Sequence, residues 1–196
     1  MKAAVVILAA GHSSRMGQNK ALLKFTSSFS FLDQLISEYN HAGVKDIIVV
    51  CQYPIPKTHP NINSYPHLNL KFTINNQNEL GRGYSIYLGL KACKNNDWIF
   101  IQNIDNPFTS RLLIQKMLSS RIASHSLAPI NNQKKGHPIL IASSIVESIK
   151  QQDASTYYFK DIIAQFPQTL VPWDDNGILA NINTFEEYEN WIHHQA

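Results

Sequence analysis

The segment that most constrains this chain is its opening apolar run, Ala3-Ala-Val-Val-Ile-Leu-Ala-Ala10, which stops at Gly11. A run this short, with Val5, Val6 and Ile7 inside it, predicts a strand buried on both faces, as in parallel sheets. Gly11 and Gly17 follow among small and polar residues, together with Arg15 and Lys20. Glycines let the backbone turn tightly and bring its N–H groups close to an anion. Arg15 would then offer phosphate oxygens a fork of donors, and Lys20 a point charge. A buried strand that runs into a glycine-and-cation loop is how α/β folds hold phosphates beyond the carboxyl ends of their strands. The plainer alternative is a surface turn after a buried strand.

Two familiar phosphate motifs are excluded. A Walker A loop has four residues between its glycines and then Gly-Lys-Ser/Thr. Here five residues separate Gly11 from Gly17, Lys20 is displaced, and Ala21 has no hydroxyl for a metal. The dinucleotide fingerprint Gly-x-Gly-x-x-Gly fails at Ser13 and Met16.

The stretch Leu8-Ala-Ala-Gly11-x-Ser13-x-Arg15-Met-Gly17-x-x-Lys20 resembles the nucleotide-binding loop of the MobA-like NTP transferases. That family holds the molybdenum-cofactor cytidylyl- and guanylyltransferases and is similar in fold to sugar-phosphate nucleotidyltransferases. The resemblance implies one domain over residues 1–196. Its fold would be α/β, a three-layer Rossmann-like nucleotide-diphospho-sugar transferase fold with a mainly parallel sheet and helices on both faces. It further implies nucleotide contacts from Leu8, Ala10, Gly11, Ser13, Ser14 and Gly17, and from Gly83 and Ser85 in the segment Gly81-Arg-Gly-Tyr-Ser-Ile-Tyr-Leu-Gly-Leu90. A plain amphipathic helix accounts for that second segment as well.

Asp105 follows the buried run Trp98–Ile101 and precedes Pro107. A carboxylate at a strand end is well placed to hold Mg²⁺ on nucleotide phosphates, and an Asx turn is the alternative reading. The family carries Asp-x-Pro at its metal site. The segment Asn181-Ile-Asn183-Thr184 falls where cytidylyltransferase members carry Asp-Ile-Asp-Thr and guanylyltransferase members Asn-x-Asn-Thr. Amide oxygens bind Mg²⁺ more weakly than carboxylates. The resemblance therefore implies Asp105, Asn181 and Asn183 as metal ligands and leaves the base, CTP or GTP, open. Gly136-His137-Pro138 resembles the segment flanking the family's acceptor pocket, which implies His137 as an acceptor contact. Residues 152–161 keep Asp153 but lack the glycines and arginine that molybdenum cytidylyltransferases carry there. That weakens transfer of the molybdenum cofactor as acceptor.

The expected reaction is Mg²⁺-dependent transfer of a nucleoside monophosphate from an NTP to a phosphorylated small-molecule acceptor, with Arg15, Lys20 and Asp105 as the catalytic groups. A sugar-phosphate nucleotidyltransferase and a non-catalytic nucleotide-binding module are the alternatives. A net charge of +3, with no basic block interleaved with aromatics, disfavours nucleic acid as partner. Cys51 and Cys93 lie far apart without a Cys-x-x-Cys pair and read as core residues of a reducing compartment. The histidines show no zinc-ligand spacing. Lys2 and the apolar run mimic a signal peptide only at the short limit, and no stretch reaches membrane-span length, so the expected protein is cytoplasmic, a monomer or weak homodimer.

The remaining pattern alternates strands and helices. Ser30 caps a helix to Ala42, ended by Gly43, and Ile47–Cys51 is a strand. Four prolines make 52–67 a loop. Leu70–Ile74 reads as a weak strand, and a helix opens near Ser110. Lys134–Ile141 is a turn into a strand. Ser144–Glu147 and Thr184–Glu187 read as capping boxes. Tyr157–Phe166 reads as helix, Leu170 and Val171 as extended, and Ile178–Ile182 as a last strand.

Overall fold

Strand β1 (Ala3–Ala9) runs through the middle of the sheet, parallel to β2 (Asp46–Cys51) on one side and β4 (Trp98–Asn103) on the other. The structure is a computed structural model and describes residues 2–11, 16–55, 61 and 65–193. Val6 lies opposite Ile48 and Ile101, and Leu8 opposite Val50 and Asn103. The unbroken apolar run has a direct cause: Val5, Ile7 and Ala9 enter one core, while Ala4, Val6 and Leu8 enter the other. A strand covered on both faces has no solvent side on which to place polar residues.

Strand β3 (Asn69–Ile74) pairs in parallel with β2 and forms one edge. Beyond β4 the sheet turns antiparallel. Strand β7 (Ile139–Ala142) pairs with β4 and with β5 (Ser126–Asn131). Strand β5 also carries the short β6 (Lys134–Lys135) and, in parallel, β8 (Gln168–Pro172). The order is β3-β2-β1-β4-β7-β5-β6, with β8 on β5. This is the mixed, mostly parallel sheet expected for the class.

Helices α1 (Phe31–His41), α3 (Arg111–Ser119) and α6 (Phe185–His193) supply one core through Leu32, Leu35, Tyr39, Leu113 and Met117, with Tyr188 and Trp191 against it. Helices α2 (Gly81–Ala92), α4 (Ser143–Lys150) and α5 (Phe159–Ala164) supply the other through Ile86, Leu90, Ile145, Ile149 and Ile162. Ser30 caps α1 in a capping box with Asp33. Helix α2 approaches β1 so closely at Gly89 that a Cβ there would lie 2.2 Å from Val6 Cγ1.

Four local expectations change. Helix α4 starts at Ser143, directly after β7, so Ser144 sits inside its first turn; no side chain caps it, and Glu147 instead pairs with Lys150 at 3.1 Å. The helix expected over 157–166 shrinks to α5, because residues 157 and 158 run in a loop. Residues 178–182 form no strand. A 3₁₀ turn occupies Asn176–Leu179, and the Asn106 side chain, fully buried, donates to the carbonyls of Ile178 and Ala180 at 3.0 Å each. The apolar alternation of Ile178, Ala180 and Ile182 is real burial without a strand neighbour. Finally, β5 forms in a stretch to which the sequence pattern assigns no element, with Pro129 in its middle. No helix among the described residues is long and apolar enough to cross a membrane.

Candidate nucleotide site

The parallel strands end on the same side of the sheet, and their termini build a cleft of about 330 Å³. Leu8, Ala10 and Gly11 come from the end of β1, Asn103 and Asp105 from the end of β4, Asn78 from the 3₁₀ turn Asn78–Leu80 that leads into α2, and Arg82 and Ser85 from the start of α2. Lys20 and Asn183 complete it.

Lys20 is placed by a 3₁₀ turn, Lys20–Leu22. Asn19 caps that turn, its side chain accepting from the Ala21 N–H at 3.0 Å, and the buried Ala21 and Leu23 anchor it. The Lys20 ammonium donates to Asn183 Oδ1 at 2.7 Å. Gly17 sits at φ +64°, in the left-handed region that a side chain resists, so the turn into Lys20 requires glycine. Ser13, Ser14 and Arg15 lie outside the described residues.

Asp105 is half-buried, and its Oδ1 is buried without a hydrogen-bond partner among the described residues. Burial raises its pKa above the ordinary carboxylate value, against the opposing pull of Lys20 and Arg82. The loop carrying it is fixed from below. Gln102, fully buried, accepts from Tyr39 Oη at 3.0 Å and Thr109 Oγ1 at 2.8 Å, and donates to the carbonyls of Asn103 and Asn106 at 2.9 Å each. Such a satisfied buried network holds one geometry.

Asn183 faces the cleft, but its Oδ1 is engaged by Lys20 and its Nδ2 donates to the Asn181 carbonyl at 3.1 Å. Asn181 is exposed and does not line the cleft. Thr184 and Glu187 form the expected capping box of α6, the Thr184 N–H reaching Glu187 Oε2 at 3.0 Å and the Glu187 N–H reaching Thr184 Oγ1 at 3.2 Å. Ser85 accepts from the buried Asn75 at 2.9 Å. Gly83 faces away from the cleft: a Cβ there would meet the Tyr157 carbonyl at 3.0 Å, and Tyr157 Oη donates to the Gly83 carbonyl at 2.7 Å.

His137 lies behind the cleft rather than in it. Arg82 Nε donates to Asn103 Oδ1 at 3.3 Å, which fixes that amide, and Asn103 Nδ2 then donates to His137 Nε2 at 3.1 Å. Nε2 is therefore the acceptor and the neutral ring carries its proton on Nδ1. Burial, with a smaller push from Arg82, lowers the His137 pKa to about 4. Arg82 itself is solvent-accessible, yet protein crowds its guanidinium, and this desolvation lowers its pKa.

Sequence reasoning missed Arg82, Asn103 and Asn78. With its amide turned to accept from Gln52 Nε2 at 2.9 Å, Asn78 donates to the Ala10 and Asn75 carbonyls at 3.2 Å. Asn103 had a usable signal, a polar residue closing an apolar strand two positions before Asp105. Arg82 stood unremarked inside the Gly81–Leu90 segment.

A family model described as the MobA-like NTP transferase domain matches residues 5–169. The bifunctional protein GlmU of Buchnera aphidicola subsp. Acyrthosiphon pisum is 29% identical over 86% of this chain, which spans only 38% of that protein. Among solved structures, Rv0371c from Mycobacterium tuberculosis H37Rv aligns at a TM-score of 0.76, with 16% identity over 98% of this chain and 99% of its own. A manganese complex of Rv0371c aligns at 0.72, with 14% identity and 98% of both chains covered. A nucleotidyl transferase from Methanothermobacter thermautotroptrophicus aligns at 0.75, with 18% identity over 98% of this chain and 97% of its own. These likenesses carry the fold of nucleotidyltransferases.

Proposed function

The chain belongs to the MobA-like NTP transferase domain family, and on that premise we propose that it transfers a nucleoside monophosphate from CTP or GTP to a phosphorylated small-molecule acceptor. The observation that carries this reading is the convergence of Lys20 and Asp105 on one cleft at the strand ends. A phosphate oxygen of the acceptor attacks the α-phosphorus, the bond from that phosphorus to the bridging oxygen breaks, and pyrophosphate leaves with the electron pair. A phosphomonoester has a second pKa of about 6 and is already ionised at neutral pH, so no general base is required. Lys20 offsets the negative charge that grows on pyrophosphate, and the cleft fixes the two reactants in line.

The residues present fit a hard divalent cation. Asp105 Oδ1 is a buried carboxylate oxygen without a partner among the described residues, on a group that lines the cleft. Mg²⁺ is characteristically held by one or two carboxylates together with substrate phosphates and water. Asp105 is the primary ligand in this reading. Asn183 joins it only if its Oδ1 leaves Lys20, and Asn181 stands outside the cleft. The bound ion would neutralise phosphate charge. The manganese complex of the neighbouring Rv0371c supports a divalent ion of this kind.

The test is pyrophosphate release from CTP or GTP with Mg²⁺ and a panel of acceptors, from molybdenum cofactor to sugar phosphates. Turnover with one pair is expected, and Lys20→Ala should lower it by about 10²–10³-fold with the circular dichroism spectrum unchanged. Nucleotide binding without pyrophosphate release for any acceptor would leave a binding module instead.

A further inference from the structure

A second cavity, of about 520 Å³, opens on the other side of Arg82. Arg82 lines both cavities, so the two share a wall. The floor of the second is apolar: Ile139 of β7, Phe159 and Ile163 of α5, and Phe166 beyond it. Among the described residues its charged groups are all cations, Arg82, Lys135 and Lys160, and no carboxylate lines it. The Arg82 guanidinium lies 5.7 Å from the centre of the Phe159 ring, which holds it between the two spaces.

Two polar groups here are already engaged, and the buried His137 Nδ1, without a partner among the described residues, is closed off from solvent. Gln168 Oε1 accepts from Lys135 Nζ, and His137 Nε2 accepts from Asn103. A sugar seated in this cavity would lose water from its hydroxyls and meet aromatic and aliphatic carbon. Each buried hydroxyl without a partner carries an uncompensated desolvation penalty. An apolar body would instead gain in proportion to the surface it hides from water. A phosphate group finds matching charge at Arg82, beside the cleft in which the α-phosphate would lie.

We propose that this cavity is the acceptor site and that its ligand is a phosphomonoester with an apolar, aromatic or branched-alkyl body rather than a polyhydroxylated sugar phosphate. The assignment of the cavity as an acceptor site rests on the nucleotidyl-transfer reading above. In the transfer the acceptor phosphate, held against Arg82, supplies the attacking oxygen. It becomes one half of the new P–O–P bridge, and its body stays on Phe159 and Phe166.

The probe is 1-naphthyl phosphate, titrated by its fluorescence into the full chain with CTP or GTP and Mg²⁺ already saturating. The expected result is binding at least ten times tighter than that of glucose 1-phosphate or glycerol 3-phosphate, measured by calorimetry, with no displacement by the nucleotide. Lys160→Ala, an exposed change that spares the core, should weaken 1-naphthyl phosphate several-fold and leave 1-naphthol unaffected. Phe159→Ala should weaken both. Preference for a sugar phosphate, displacement of the probe by nucleotide, or indifference to both substitutions would overturn the proposal. Nucleotide binding is measured in the same titrations. If no nucleotide binds, the transfer reading itself falls and takes the acceptor role with it; if nucleotide binds and a sugar phosphate wins, only the acceptor class is wrong.

Discussion

At the level of single residues, the cleft holds groups whose environments work against their own charge. Burial raises the pKa of the Asp105 carboxyl although Lys20 and Arg82 oppose it, and its Oδ1 has no partner among the described residues. A residue kept in so unfavourable a setting is a functional candidate. Asp105→Asn should therefore lower transfer by about 10²-fold or more, while the melting temperature holds or rises by about 2–4 °C. A calorimetric scan beside the pyrophosphate assay reads both, and a melting temperature that falls with activity would make Asp105 a structural residue. His137 has the opposite proton balance. Its folded pKa of about 4 lies below the unfolded value near 6.5. The unfolded chain takes up the proton first, so stability from this residue is complete above pH 6.5 and is lost as pH falls toward 4. The loss is about 2–3 kcal/mol, allowing for the ring's remaining solvent contact. Comparing denaturant midpoints of wild type and His137→Gln from pH 7.5 to 4.5 isolates it: the two curves should converge as pH falls.

At the level of elements, the site depends on how closely α2 lies on the sheet. Gly89 faces Val6 and Val50, and an added Cβ would fall 2.2 Å and 3.1 Å from their methyl carbons. Neither valine can move, since β1 and β2 are locked in register. Gly89→Ala should thus destabilise the protein by about 1–3 kcal/mol despite its better helix propensity. It should also weaken nucleotide binding, because the start of α2 carries Arg82 and Ser85. Urea titration and calorimetry measure the two effects; stabilisation would show that α2 adjusts freely.

On the scale of the whole molecule, the cleft is closed by a segment far away in sequence. Lys20 meets Asn183 across 163 positions. That meeting relies on Asn106, whose amide holds the carbonyls of Ile178 and Ala180, and on the Ile182 N–H, which donates to the Asp105 carbonyl at 2.9 Å. Asn106→Leu keeps the volume but takes the side-chain donor from the Ala180 carbonyl and leaves the Ile178 carbonyl with only the His137 N–H. It should destabilise folding by about 2 kcal/mol or more and slow transfer even where the protein remains folded. Unchanged stability in guanidinium titration would show that this closure holds without the side chain.

How much was legible follows from the range of each interaction. The opening strand, the capped helix after Ser30, the Thr184–Glu187 box and the Gly17 turn could be read directly, because burial period, caps and left-handed turns are set by neighbours a few residues apart. The same local logic misread 178–182, where apolar alternation looked like a strand but its carbonyls are bound by a distant asparagine side chain. Likewise, Asn181 and Asn183 looked equivalent in the sequence, yet only Asn183 faces the cleft. The local chain thus determined the buried strand β1, the Gly17 turn into Lys20, and Lys20 and Asp105 as the cation and carboxylate available to the cleft. Which of them meet, that Arg82 divides two cavities, and that one cavity is apolar were decided only by tertiary structure, because strand order and long-range packing bring together groups whose separation along the chain carries no local signal.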